Sequence, residues 1–249
     1  MSGKNLAIYD DENFFNNYID LRNAANNYND LIEQPIVLEL LGDVTDRSVV
    51  DIGCGYGAMT AKIAAAGARR VLGIDVSEKM IEKGRRENSH PRITYRVLSA
   101  EALNTVEETF DMAVSCLAIH YIEDFAGLFA AVAGRLNAHG VFVFSMEHPM
   151  YTANLTGQQW ITDPDTGVPT GYVVDHYGEE GVRHISWLGK TITKYHHKTD
   201  TVFNALIAAG FRLERVIEPS PSRELIERVP KTAQELHRPA YLIVKCRKG

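Results

Sequence analysis

Cysteine is scarce in this chain of 249 residues: the three present, Cys54, Cys116 and Cys246, are far apart and form no C-x-x-C pair. An odd, scattered set supports neither a disulfide framework nor a thiolate zinc site. Long apolar runs are missing too, since no window approaches the roughly 20 residues a membrane span needs. The opening MSGKNLAIYDDENFF has no apolar stretch of about 7–15 residues of the kind a secretory signal carries. A soluble, cytoplasmic protein is the expectation. Positive charge is in deficit, with 26 Lys and Arg against 32 Asp and Glu, a net charge of −6. A surface that follows nucleic-acid phosphates must neutralise them with Lys and Arg. Small molecules are therefore the expected partners, with neither nucleic acid nor membrane among them, and the oligomeric state is left open.

What is present is an ordinary globular composition, 45% apolar and 23% charged, ample for one large α/β core. From residue 47 the pattern alternates strand and helix: SVVDIG, MTAKIAAAG, RVLGID, SEKMIEKGRRE, ITYRVLSA, FDMAVSCL, FAGLFAAVAGRL and VFVFSME. Strands separated by single helices need crossovers, which predicts a doubly wound, mostly parallel sheet. Phe125, Leu128, Phe129, Val132 and Leu136 make one apolar stripe at helical spacing. After VFVFSMEHP the regularity breaks, and YVVDHY, VRHISW and TITKYHH read as a small antiparallel meander. DTVFNALIAAGF, RLERVIEP and AYLIVKCRK then resume the core. The division expected is a helical cover over 1–46, a core over 47–147 and 200–249, and an inserted β-rich lid over 148–199.

VVDIGCGYGAMT, residues 49 to 60, joins a strand, a glycine turn and a helix start. Such a turn offers backbone N–H groups and a helix dipole to an anionic or polar ligand. Its spacing also satisfies the looser dinucleotide fingerprint, with Asp75 some twenty residues on. Two features favour another ligand. Asp51 precedes the first glycine, where a pyrophosphate would meet an extra negative charge and an amino group or sulfonium would welcome it. The last two strands lack a long crossover helix between them, so a closing antiparallel strand fits better than a sixth parallel one.

VVDIGCGYGAMT, VLGIDVSEKMIEKGRRE, LSAEAL and FDMAVSCLAIHYIEDF resemble the successive cofactor motifs of class I S-adenosylmethionine-dependent methyltransferases, over about residues 47 to 147. The tail is similar to that family's closing helix and hairpin, and YDDENFFNNYIDLR and FSMEHPMYTA look like a bacterial subgroup acting on small molecules. The resemblance implies a Rossmann-like seven-stranded sheet with an antiparallel last strand, and S-adenosyl-L-methionine as cofactor. It implies Asp51, Gly53, Cys54 and Gly55 around methionine and ribose, Asp75 on the ribose hydroxyls, and Val76 and Met80 on adenine. Ala100 and Glu101 would edge the adenine, while Ser115 and Leu117 would line the methionine moiety. Ser99 stands where many members carry Asp. Tyr18, Arg22 and Tyr28 of the cover would close over the cofactor.

A sulfonium methyl is already activated, so the site chiefly has to hold a nucleophile in line with it and exclude water. A base would help with a hydroxyl or protonated amine. His120, after the fourth strand, and His148, after the fifth, stand at the ligand-binding edge of the sheet and are the candidates. Trp160, Tyr172, Trp187, Tyr195 and His197 of the insert are candidates for the acceptor wall. The insert's histidines follow no ligand spacing, so no metal is expected. The expected reaction is methyl transfer to an oxygen or nitrogen of a small molecule. Two alternatives are an NAD(P)-dependent oxidoreductase and a noncatalytic cofactor-binding protein, the latter lacking an acceptor cavity.

Overall fold

The computed structural model describes residues 8–24 and 26–249. The chain enters through α1 (Glu12–Asn23), started by Asp11, whose carboxylate accepts the Phe14 N–H at 3.1 Å. A π-helical turn over Asn29–Glu33 leads directly into α2 (Gln34–Leu41). There follow β1 (Ser48–Ile52), α3 (Ala58–Ala65), β2 (Arg70–Asp75), α4 (Glu78–Glu87), β3 (Ile93–Val97), β4 (Phe110–Cys116), α5 (Phe125–Arg135) and β5 (Leu136–Glu147). Phe125, Leu128, Phe129 and Val132 form the buried stripe of α5, while Leu136 begins β5 instead of ending the helix.

Next come α6 (Pro149–Thr152) and two separate hairpins. The first pairs β6 (Trp160–Thr162) with β7 (Pro169–Tyr172), the second β8 (Gly181–Trp187) with β9 (Lys190–His196). The predicted three-stranded meander does not form. Residues after Tyr172 are held by a side chain: Asn154 donates to the Val173 carbonyl at 2.8 Å and accepts the Asp175 N–H at 2.6 Å. Those backbone groups are satisfied without a neighbouring strand, and His176 then turns away at φ +56°.

The chain closes with α7 (Thr199–Ala208), β10 (Phe211–Ile217), α8 (Arg223–Arg228) and β11 (Tyr241–Lys248). The seven-stranded sheet has the order β10-β11-β5-β4-β1-β2-β3. Only β11 runs antiparallel to its neighbours, as expected of a closing strand. Every position of β1 is buried, which a parallel strand covered by helices on both faces requires. The period of two divides the core into layers. Val50, Ile52, Phe142 and Phe144 face α5 and α7, whereas Val49, Met112, Val141 and Val143 face α2 and α3. Sheet order reverses between β1 and β4, and a crevice opens there outside the strands' carboxyl ends. Among the described residues no helix is long and apolar enough to cross a membrane.

Candidate functional site

The glycine turn after β1 needs backbone that only glycine adopts cheaply. Gly53, at φ +71°, lies so close to Ala118 that an added Cβ would stand 2.4 Å from the alanine methyl. At Gly57, φ +83°, it would stand 2.0 Å from the Tyr95 hydroxyl. Gly55, at φ +54°, faces open space, with nothing within 4 Å of such an atom. The turn thereby presents bare backbone to a cavity of about 1200 Å³ that opens to solvent.

Asp51, Gly53, Cys54, Gly55, Asp75, Val76, Met80, Ala100, Ser115 and Leu117 line this cavity, with Tyr18 and Arg22 of α1. Asp51 is fully buried: Oδ2 accepts the Thr60 hydroxyl at 2.6 Å, and Oδ1 has no partner among the described residues. Burial raises its pKa to about 7, against the opposing bond from Thr60. Asp75 accepts the N–H of Gly55 and of Ser77, each at 2.9 Å, one on each oxygen. Burial raises its pKa also, opposed by those backbone bonds. Ser77 caps α4, its hydroxyl accepting the Met80 N–H. Ser115 donates to the Ile52 carbonyl at 2.8 Å, bracing β4 on β1. Leu117 holds φ +52°, an expensive conformation for a leucine, pinned by its N–H to Ser145.

These donors and acceptors fit S-adenosylmethionine. The unpartnered oxygen of Asp51 calls for a donor such as an ammonium, since a buried acceptor left alone costs about 1–3 kcal/mol. Asp75 keeps a free lone pair on each oxygen for hydroxyls, and Val76, Met80 and Ala100 offer an apolar slot. Two expected members stand elsewhere. Glu101 does not line this cavity, its carboxylate accepting the Ser99 hydroxyl at 3.3 Å. Tyr28 lines a second cavity instead, its hydroxyl donating to the Lys231 carbonyl at 3.1 Å.

That second cavity, about 2040 Å³ and also open, adjoins the first through shared walls of Tyr9, Tyr18, Arg22, Asn29, Leu117 and Tyr121. A noncatalytic cofactor pocket would lack it. His120 lines it, in the turn after β4, and is 2% exposed. Burial drives its pKa down to about 4 despite Glu147, so the ring is neutral. Its Nδ1 accepts the Glu147 N–H at 3.3 Å, which leaves the proton on Nε2, 3.9 Å from the Glu147 carboxylate. In this arrangement His120 donates. Glu147, at the end of β5, pairs with Lys194 of β9. Burial pushes its carboxyl upward, but Lys194 and His120 outweigh that and hold it below its ordinary range. Its Oε2 is buried and has no partner among the described residues.

His148 lines neither cavity. Its Nδ1 caps α6 by accepting the Met150 N–H at 3.1 Å, and its Nε2 meets Glu218 at 2.8 Å, so both ring nitrogens are engaged. Of the insert's candidates, Trp187 alone reaches the second cavity. Tyr195 is buried at 5% exposure, and His197 packs edge-on against Phe125 at 4.2 Å. Trp160 and Tyr172 lie one layer back, each 4.9 Å from the guanidinium of Arg238, which does line the cavity. Sequence reasoning missed Glu147, Lys194 and Arg238. Their signals were a lysine in TITKYHH in phase with buried Ile192 and His196, and an arginine just before β11. An antiparallel strand begins at the edge where parallel ones end, which brings Arg238 to the site.

A methyltransferase domain model matches residues 49–140. Along 92% of its length the chain superposes on an S-adenosylmethionine-dependent methyltransferase from Mesorhizobium loti, covering 100% of it, with TM-score 0.81 and 38% identity. The chain belongs to the class I S-adenosylmethionine-dependent methyltransferases. As a methyltransferase it has a full-length relative in an uncharacterised protein of Haemophilus influenzae, 34% identical over 98% of this chain and 97% of that one. Its likeness to a ubiquinone biosynthesis O-methyltransferase of Nitrosomonas europaea, 30% identical, spans only 43% of this chain and 46% of that enzyme. The enzyme uses S-adenosyl-L-methionine.

Proposed function

We propose that the protein transfers a methyl group from S-adenosylmethionine to an oxygen or nitrogen of a small-molecule acceptor. The observation that carries this reading is the second cavity, lined by cover, core and lid and sharing walls with the first at Leu117 and Tyr121. A concave pocket walled by side chains of three segments suits a metabolite better than a polymer. In this reading residues 1–46 are the cover, 148–199 the lid, and the remainder the catalytic core.

Asp51 would hold the cofactor's ammonium and Asp75 its ribose hydroxyls. Val76, Met80 and Ala100 would pack its base, and Arg22 and Tyr18 would close over its carboxylate end. When bound, S-adenosylmethionine supplies a methyl group on a sulfonium, an electrophile that needs no further activation. The chain's part is then to present the nucleophile and exclude water. Glu147 takes the proton acceptor's role: it is ionised, and its partnerless Oε2 can accept from an acceptor hydroxyl or amine in the second cavity. His120, neutral, accepts the Glu147 N–H on Nδ1 and so braces the backbone that carries that carboxylate.

The test supplies methyl-labelled S-adenosylmethionine together with a small-metabolite extract, and in parallel with transfer RNA, DNA and total protein. Label is expected in the small-metabolite fraction alone. Label recovered only on a polymer would overturn the reading.

A further inference from the structure

The second cavity reverses the sign of the molecule that contains it. The chain is acidic, at −6, yet Arg22, Arg183, Lys194, Lys231 and Arg238 face this cavity against two lining carboxylates, Glu147 and Glu235, with Arg22 also paired to Asp30 at 3.3 Å. Those two are already committed, Glu147 to Lys194 and Glu235 to Arg238 at 2.8 Å. Arg183, 4% exposed, places its donors on the carbonyls of Ala153, Val182, His176 and Glu179, which satisfies its hydrogen bonds and leaves its charge. The excess positive potential sits in a partly enclosed space with low-dielectric walls, where it attracts anions most strongly.

Arg238 is the best-prepared of these cations. It is 3% exposed, held among the rings of Tyr151, Trp160 and Tyr172 at 4.6–4.9 Å, and its Nε has no partner among the described residues. Its Nη1 donates to Glu235 at 2.8 Å and its Nη2 to Gln158 at 3.3 Å, so the guanidinium has lost its rotamer freedom before a ligand arrives and each Nη keeps one further N–H for a planar anion. Lys194 shares one ring with Arg238: its ammonium lies 5.8 Å from the centres of the Tyr121 and Tyr151 rings and 5.6 Å from that of Trp187. Both cations thus lie within 6 Å of the centre of the Tyr151 ring. Opposite in character, Glu147 Oε2 is a buried oxygen that lacks a donor among the described residues.

We infer that the acceptor is a planar organic acid: its carboxylate is read by Arg238, its ring lies among Tyr121, Tyr151 and Trp187, and its hydroxyl or amino group meets Glu147 beside Lys194. This rests on the small-molecule methyltransferase reading and adds the class of acceptor. The group to be methylated and the carboxylate occupy different ends of one ring, which sets a minimum size for the acceptor as well as its charge.

The experiment measures binding by calorimetry to the full-length protein saturated with S-adenosylhomocysteine. The probes are hydroxy- and amino-substituted ring carboxylates, beginning with 3,4-dihydroxybenzoate and anthranilate, each beside its primary amide. An acid is expected to bind roughly ten- to hundred-fold more tightly than its amide, the scale of a hydrogen-bonded charge. Arg238→Gln should erase most of that preference while S-adenosylhomocysteine affinity stays near wild type. If Arg238→Gln fails to fold because Glu235 is left unpaired, Arg238→Lys, which keeps the charge and loses the fork, should lower the preference in its place. Absence of any acid-over-amide preference across the panel, or its persistence in the variants, overturns the inference. Failure of S-adenosylhomocysteine itself to bind would instead strike the underlying reading.

Discussion

Asp51 is a carboxyl whose charge waits for a ligand. Burial raises its pKa from 3.8 to about 7, so near neutral pH the ligand-free site is partly protonated. The folded value lies above the unfolded one, so its contribution to stability is whole below about pH 4 and is lost as pH rises through 7. An ammonium beside Oδ1 favours the ionised form and reverses the shift. Binding of S-adenosylhomocysteine at about pH 6 should therefore release close to one proton from this position, read by calorimetry in two buffers of different ionisation enthalpy. Asp51→Asn should release correspondingly less and bind the ligand roughly ten- to hundred-fold more weakly, having lost a charged hydrogen bond. The same variant, without ligand, should resist unfolding at about pH 8 better than wild type, because nothing there has to ionise in a buried place. Equal proton release by the two proteins would remove Asp51 from the cofactor site.

At the scale of the element, the turn between β1 and α3 separates what the fold needs from what the ligand needs. Gly53→Ala puts a methyl 2.4 Å from Ala118, a short side chain that cannot swing aside, in a backbone region already unfavourable for alanine. Thermal or denaturant unfolding should show a loss of at least about 2 kcal/mol. Gly55→Ala meets no neighbour within 4 Å and should lose only the roughly 1 kcal/mol of a left-handed alanine, while lowering cofactor affinity through its place in the cavity wall. Similar losses of stability in the two variants would contradict this division. The turn was readable in the sequence because local chemistry dictates it: three glycines, an apolar strand before them, a helix after. The parallel strands were readable for the same reason, since burial on both faces leaves near-continuous apolar runs. The insert was less so. Asn154 satisfies the backbone of Val173 and Asp175 in place of a strand, and no periodicity announces such a bond. Lys194 and Arg238 were hidden differently, because a charged residue on a strand or in a loop reads as solvated until tertiary packing brings aromatic rings over it. Trp160 and Tyr172 illustrate the converse: both carry aromatic character, but their rings serve to hold Arg238 and do not line the cavity.

In the whole molecule, cover, core and lid are joined at the rim of the two cavities. Asp10 accepts the Ser77 hydroxyl at 2.6 Å and the Lys79 N–H at 3.1 Å, tying the cover to the start of α4. Asp11 pairs with Lys190 at 2.8 Å, and Phe14 and Tyr18 meet Trp187 edge-on at 5.6 and 6.0 Å, tying it to the lid. The exposed ion pair contributes little, so the ring contacts carry most of that attachment. Tyr9, Tyr18 and Arg22 roof the first cavity while the glycine turn and Asp75 floor it. A ligand there touches cover and core together and must be released before the two can separate. S-adenosylhomocysteine at one hundred times its dissociation constant should stabilise the protein by about 2.7 kcal/mol, some 5–11 °C in melting temperature for a chain of this size, and NADH should not. The same ligand should slow amide exchange in α1 as well as in the glycine turn, since local opening of the cover becomes coupled to ligand release. Protection confined to residues 51–60, with α1 exchanging as fast as before, would mean that the cover takes no part in holding the cofactor. In that case Arg22 and Tyr18 would belong to the acceptor's cavity alone.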